Sequence, residues 1–259
     1  MNIVQSFLYK IKSRLNNNIL NRALISIGFE KHIKVSGLFW KNYVVDQNKT
    51  EQEIAGYSHI SSIDEAIIEL HRQLQSTTKK YFNPDVAINV LDIGCGPGLY
   101  LKDFPKNANK YGIDLNRDML KLAKKNNSDA VLIEGEFLKV KFTTSFHMLY
   151  SIGVLQYFTP AELDNLLKKA SSLLQPSGIL FISYPHAISR EDLSYPDINY
   201  ISYSPGYLSR VASKYFTIIS NKHILQDRTI DEYDISPASP PVGFNKTYQN
   251  SSILIAQKK

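Results

Sequence analysis

The apolar residues of this chain fall into two regimes. Up to about residue 81 they recur every three or four positions, the spacing of one face of a helix. Ile3, Phe7, Leu8, Ile11 and Leu15, then Ile19, Leu20, Ala23, Leu24 and Ile27, predict one or two amphipathic helices, with Gly28 as a stop. Residues 32–60 are irregular and aromatic (Phe39, Trp40, Tyr43, Tyr57), and Ser61 or Ser62 then opens a stripe of Ile63, Ala66, Ile67, Leu70 and Leu74 that reads as a helix down to about Tyr81. From Val86 onward short apolar runs alternate with helical stretches. Strands are expected at 86–93, 110–114, 130–133, 179–184, 216–224 and 252–256, with a further strand and its turn within 145–158, and helices from Asn116 to Lys125, from Pro160 to about Leu174 and from Pro205 to Tyr215, with a turn at 175–178. Alternation of this kind from 86 to 184 implies a parallel sheet. The predicted architecture is one Rossmann-like α/β domain over 82–259, behind a basic helical arm and lid at 1–81.

The densest chemistry lies in Asn89-Val90-Leu91-Asp92-Ile93-Gly94-Cys95-Gly96-Pro97-Gly98. A strand runs into a loop with three glycines, and a helical pattern starts at Leu99. Such a loop lets a ligand lie against the main chain and meet its N–H groups. A dinucleotide fingerprint wants G-x-G-x-x-G. Here its third position is Leu99, and the extra glycine comes one residue early at Gly98. Asp92, just inside the loop, would repel a pyrophosphate and suits a ligand carrying an ammonium group. Lys110-Tyr111-Gly112-Ile113-Asp114 reads as a second strand ending in an acid about twenty residues on, where a carboxylate accepts from ribose hydroxyls. Asn116 follows as an N-cap, with Asp118 in the first helical turn.

These residues together resemble the class I S-adenosylmethionine-dependent methyltransferases of the small-molecule type, whose first motif is an acid followed by G-x-G-x-G. The resemblance covers mainly residues 86–184. It implies a seven-stranded sheet with an antiparallel last strand. It implies S-adenosylmethionine as cofactor, S-adenosylhomocysteine as product, and no metal. The positions it assigns to cofactor binding are Asp92, Gly94, Cys95, Gly96, Gly98, Asp114, Leu115, Met119, Glu136, Phe137 and Ser151: Asp114 at the ribose, Leu115 and Met119 beside the adenine, Glu136 at the adenine amino group. His147 stands where the family usually has aspartate near the start of the fourth strand, a departure read as structural. Gln156 and Tyr157 stand where relatives often carry histidines. Tyr57 and His59 are lid candidates. His186, just past the fifth strand, is the candidate catalytic base for a hydroxyl acceptor. The polar, tyrosine-rich stretch 187–204 and the long link 225–250 are expected to shape the acceptor side.

Charge and cysteine content narrow the setting. Seven lysines and arginines against Glu30 alone, all before residue 42, account for the whole formal charge of +6. The body is neutral, and residues 1–41 could meet a membrane surface or another anionic partner. The single cysteine, Cys95, excludes an internal disulfide and a multi-cysteine zinc site. Lys10, Lys12 and Arg14 interrupt the apolar residues of the N-terminus, so the cytoplasm is the expected location. After the fourth strand the chain has Ser151-Ile152-Gly153-Val154 rather than the Asn/Asp-Pro-Pro-aromatic motif of enzymes that methylate exocyclic amines of bases or protein glutamine. Cys95 lies in the cofactor loop, not where a cytosine C5 enzyme needs its nucleophile. A nucleic-acid partner is not expected. The expected acceptor is a small polar, phosphate-bearing metabolite such as a sugar nucleotide or surface-polysaccharide precursor, methylated on oxygen or nitrogen. A lipid or quinone acceptor and a non-catalytic cofactor-binding protein are the alternatives. Oligomeric state is left open.

Overall fold

The computed structural model describes residues 40–46, 48–54, 63–185, 203, 205–224 and 251–259. Residues 1–39, Tyr57, His59, His186 and the link 225–250 lie outside the described residues, as does the stretch 187–204 apart from Tyr203. After a single helical turn at Glu51–Ile54 come α1 (Ile63–Tyr81), β1 (Asn89–Ile93), β2 (Asn109–Asp114), α2 (Arg117–Asn126), β3 (Val131–Glu134), β4 (Phe146–Ile152), α3 (Pro160–Leu173), β5 (Leu174–Pro185), α4 (Pro205–Ala212), β6 (Phe216–His223) and β7 (Ser251–Lys258).

All seven strands join one sheet in the order β3-β2-β1-β4-β5-β7-β6. β1 to β5 pair in parallel, and β7 runs antiparallel to both of its neighbours. This is the expected sheet with its antiparallel last strand. Sequence order reverses between β1 and β4, and in open α/β sheets the crevice above such a point receives ligands. The loop after β1 stands there.

Two apolar layers hold the sheet. Alternation along β1 sends Leu91 and Ile93 to one face, where they meet Leu163, Leu166 and Leu167 of α3 and Leu208 of α4. Val90 faces the other way, into a layer with Met148, Phe181 and Ile255 that is covered by Leu70 and Leu74 of α1. The helix that was read with the N-terminal arm thus shares the core of the sheet. Capping fixes α3: Thr159 accepts from the Glu162 amide, and the Glu162 carboxylate accepts in return from the Thr159 amide. His147 has a structural task, as its Nδ1 accepts the Asn89 amide at 2.9 Å. Burial holds that imidazole below its ordinary range, which keeps it neutral and able to accept.

Two local expectations fail. No α-helix follows the glycine loop; only a 3-10 turn, Leu101–Asp103, forms there. Pro105 lacks an N–H and pushes Phe104 into an extended conformation, with φ −89° and ψ 148°. Leu99, Tyr100, Leu101 and Phe104 are all buried in the layer beneath α1. The turn expected at 175–178, ahead of the fifth strand, is a bulge inside it. β5 pairs Leu174 with Phe146, loses register, and resumes at Ile179 opposite Met148. Ser177 takes φ 62° there.

Docking of α1 rests on few side chains, so truncating one is informative. Leu74 is fully buried, and Leu74→Ala is expected to cost about 2–5 kcal/mol, read from the shift in a urea unfolding midpoint.

Candidate functional site

The loop between β1 and Leu99 turns through three left-handed glycines, with φ of 73° at Gly94, 50° at Gly96 and 78° at Gly98. They do different work. A Cβ on Gly94 would meet Val154 Cγ2 at 2.5 Å, and one on Gly98 would meet Asn127 Nδ2 at 2.7 Å. Both lie in close packing. A Cβ on Gly96 would meet nothing within 4 Å. The backbone at Gly96 therefore lines open space, a cradle with room for a ligand against the main chain. Gly94 and Cys95 donate their amides to the Ile113 carbonyl at 2.8 and 3.0 Å, which moors the loop on the end of β2.

Asp114 closes the same corner. Its Oδ2 accepts from the Gly96 amide at 2.9 Å and its Oδ1 from the Asn116 amide at 2.8 Å. Each oxygen keeps capacity for a further donor. Burial raises its carboxyl, and the amide bonds from Asn116, Gly96 and Leu115 oppose that shift. Asn116 is fully engaged. Its side-chain oxygen caps α2 through the amides of Asp118 and Met119, while its Nδ2 donates to the carbonyls of Trp40 and Tyr43 at 2.7 and 2.8 Å. Trp40 packs on Tyr43 and meets the ring of Tyr157 edge-on, with centroids 6.1 Å apart. A segment some seventy residues upstream is thereby laid from the end of β2 to the turn after β4.

Under the loop lies a group of buried acids. Asp92 is 2% exposed and sits beside Tyr150 in the β1–β4 register. Burial pushes the Asp92 carboxyl well above the carboxylate range, and the neighbouring charges of Asp114 and Asp103 push the same way. The Tyr150 hydroxyl lies close enough to favour the charged form, yet it makes no full hydrogen bond. Asp103, on the 3-10 turn, is held by His71 Nδ1 and Gln75 Nε2 of α1, and the His71 ring lies tilted against Tyr100 with centroids 4.5 Å apart. The Cys95 thiol is also pushed well up, first by burial and then by Asp92 and Asp114, so it stays protonated and is no nucleophile.

The other sequence candidates spread out. Leu115 is half-buried beside Asp114, and Met119 is buried in the first turn of α2. Glu136 is about half exposed and pairs with Lys139 at 2.6 Å. Phe137 is buried against Phe142, and its carbonyl accepts from Lys169. Ser151 is fully buried, and its hydroxyl donates to the Ile93 carbonyl at 3.0 Å, bracing the loop from below. Gln156 turns back to the Gly153 carbonyl at 2.7 Å. Sequence reasoning missed Tyr150 and the anchoring of Trp40 and Tyr43. The first needs the strand register and the second a long-range contact, though the aromatic content of 39–57 was a signal.

The corner offers exposed loop backbone, a carboxylate with spare acceptor capacity and a second carboxyl beneath, and among the described residues no lysine or arginine pairs with Asp92, Asp103 or Asp114. That chemistry fits a ligand with ribose hydroxyls and a cationic group, and it opposes a pyrophosphate.

Comparison with known proteins agrees. Residues 90–178 match a family model described as a methyltransferase domain. A dTDP-3-amino-3,6-dideoxy-alpha-D-glucopyranose N,N-dimethyltransferase of Streptomyces fradiae is 30% identical over 128 residues, 48% of this chain and 45% of that protein. A dTDP-3-amino-3,4,6-trideoxy-alpha-D-glucopyranose N,N-dimethyltransferase of Streptomyces venezuelae is 33% identical over 101 residues, 37% of this chain and 42% of that one. The chain thus spans less than half the length of these relatives. A magnesium protoporphyrin IX methyltransferase from Synechocystis PCC 6803, solved with bound SAM, shares the fold with a TM-score of 0.59 at 14% identity, over 88% of this chain and 97% of that one. Residues 90–178 are thus similar to a methyltransferase domain, and the fold is one that a solved methyltransferase with bound SAM also has.

The glycines give a contrast that only a cradle explains. Gly94→Ala is expected to destabilise the fold by several kcal/mol, since strain and the Val154 clash add. Gly96→Ala is expected to cost only about 1–2 kcal/mol and to abolish binding of S-adenosylhomocysteine. Thermal melts and calorimetric titration of both variants check this.

Proposed function

We propose that this chain transfers a methyl group from S-adenosylmethionine to an amino group of a sugar nucleotide, of the kind consumed in assembling surface polysaccharide. The observation that carries the cofactor is the corner formed by the open Gly96 backbone and the doubly anchored Asp114. Asp114 would hold the ribose through its remaining lone pairs, Leu115 and Met119 would flank the adenine, and the acid beneath the loop would face the ammonium group. When bound, S-adenosylmethionine supplies a methyl group on a sulfonium, activated for in-line transfer to a nucleophile.

The chain's own part is to place and to dehydrate. Trp40, Tyr43 and Tyr157 form an aromatic wall beside the corner, which keeps water from the reacting atoms and shields the charge of the sulfonium. Holding an acceptor in line with the methyl group is worth a large part of the rate without any covalent help. The two Streptomyces relatives methylate amino sugars by their names, and that supports nitrogen as the acceptor. A neutral amine attacks with its own lone pair and sheds a proton afterwards. Gln156 and Tyr157 after β4 carry no strong base, which is adequate for an amine and weak for a hydroxyl. If the acceptor is a hydroxyl, His186 takes the part of the base.

Two measurements test this. Calorimetric titration is expected to give binding of S-adenosylmethionine and S-adenosylhomocysteine, with no binding of NAD, and Asp114→Ala is expected to weaken both by at least about tenfold. Methyl transfer from labelled cofactor is expected to dTDP-linked amino sugars and not to their hydroxyl counterparts. Transfer to the hydroxyl forms, abolished by His186→Ala, would replace nitrogen with oxygen. NAD binding in place of both cofactor forms would remove the assignment.

A further inference from the structure

Tyr150 is fully buried at the centre of the sheet, and among the described residues its hydroxyl makes no full hydrogen bond, although Asp92 lies close to it. An orphaned buried hydroxyl costs on the order of 1–3 kcal/mol, so its position asks for a reason. Its neighbours supply one. β1 and β4 set Asp92 directly beside it, and Asp92 is itself buried away from every lysine and arginine among the described residues. The groups that face Asp92 are Tyr150 from β4, Asp114 from the end of β2, Cys95 from the loop and Asp103 from the 3-10 turn, the last tied to His71 of α1. All are neutral or acidic except that histidine, which is spent on Asp103. A carboxylate cannot sit charged in that company without a cation.

Resting on S-adenosylmethionine as the cofactor, we infer that Tyr150 is a positioning residue: arrival of the ammonium group ionises Asp92, releases one proton to solvent, and turns the Tyr150 hydroxyl into a full donor that fixes the Asp92 carboxylate against the cation. The free protein holds the pair uncharged. The raised carboxyl of Asp92 fits this state, because burial and like charges there favour the protonated form. The balance is simple: a carboxylic acid and an ammonium become a carboxylate–ammonium pair and a hydrated proton. Affinity for a ligand with that ammonium therefore rises with pH until Asp92 is ionised in the free protein, and then levels off.

The test compares S-adenosylhomocysteine with 5′-methylthioadenosine, which keeps the adenosine and the thioether but lacks the amino-acid portion. Each is titrated calorimetrically into the full chain between about pH 5 and about pH 8, in buffers of low and high ionisation enthalpy. The expected result is release of close to one proton with S-adenosylhomocysteine over part of that range, and none with methylthioadenosine, whose ribose still meets Asp114. Asp92→Asn is expected to abolish the release. Tyr150→Phe is expected to keep or raise the melting temperature of the free protein, to weaken S-adenosylhomocysteine about tenfold, and to leave methylthioadenosine unchanged. Equal proton release with both ligands, or none with either, overturns the inference while the cofactor stands. So does a Tyr150→Phe variant that melts lower and loses both ligands alike, which would make the tyrosine merely structural. Failure of S-adenosylhomocysteine to bind the unaltered chain at any pH brings down the cofactor reading and this inference with it.

Discussion

The carboxylate of Asp114 is the join on which the site depends. One oxygen takes the Gly96 amide and the other the Asn116 amide, so a single side chain ties the glycine loop after β1 to the N-terminus of α2. Asn116 extends the join to Trp40 and Tyr43. Three segments that are far apart in sequence thus meet around one acid. The two amide bonds also stabilise its charged form against burial. Without it the loop would still be moored by the Ile113 carbonyl and by Asn126 and Asn127, which donate to the Pro97 and Gly98 carbonyls, but Gly96 would lose its tie to the start of α2.

The loss of a helix after the loop fits the electrostatics of this corner. A long helix starting at Leu99 would aim its positive end at the ligand and favour phosphate. Pro105 stops the helix after one 3-10 turn. The place of an extended helix goes instead to buried apolar residues and to Asp103, which adds negative potential beneath the loop. With Asp92 and Asp114 this makes three acids around one loop, of which Asp103 is held by His71 and Gln75 and Asp114 by two backbone amides, while burial raises Asp92. The same G-x-G geometry that serves dinucleotides elsewhere is here embedded in the opposite field. Glycine spacing says that a ligand can approach; the acids say which charge it carries.

What could be read from the sequence divides along this line. The alternation of strands and helices, the glycine loop and Asp114 are local patterns of a few residues each, and all three stand where they were expected. Helix after Leu99 was a misreading, although Phe104-Pro105 carried the signal against it. The bulge at Ser177 looked like a plain turn, because the pairing of Leu174 with Phe146 is invisible until β4 and β5 lie side by side. Tyr150 reads as one more apolar position in a buried strand until register places it next to Asp92. Trp40 and Tyr43 carry no motif at all. The side-chain amide of Asn116, some seventy residues later, and the ring of Tyr157 give them a place.

This division follows from how such a sheet builds a pocket. The cofactor half comes from consecutive strand ends, so its residues keep short, fixed spacings. The opposite wall is drawn from wherever the chain returns to the strand ends: Trp40 from upstream, Tyr157 after β4, and Tyr203 ahead of α4, whose hydroxyl donates to the Phe158 carbonyl at 2.6 Å. Those contacts fix the wall's shape through backbone carbonyls and ring edges, which many sequences could supply. Tyr203 is a case in point, since its hydroxyl is consumed in holding Phe158 and its ring stacks on Tyr207. Contacts of that kind leave no short motif in the sequence, whereas the glycine loop after β1 is written in consecutive residues.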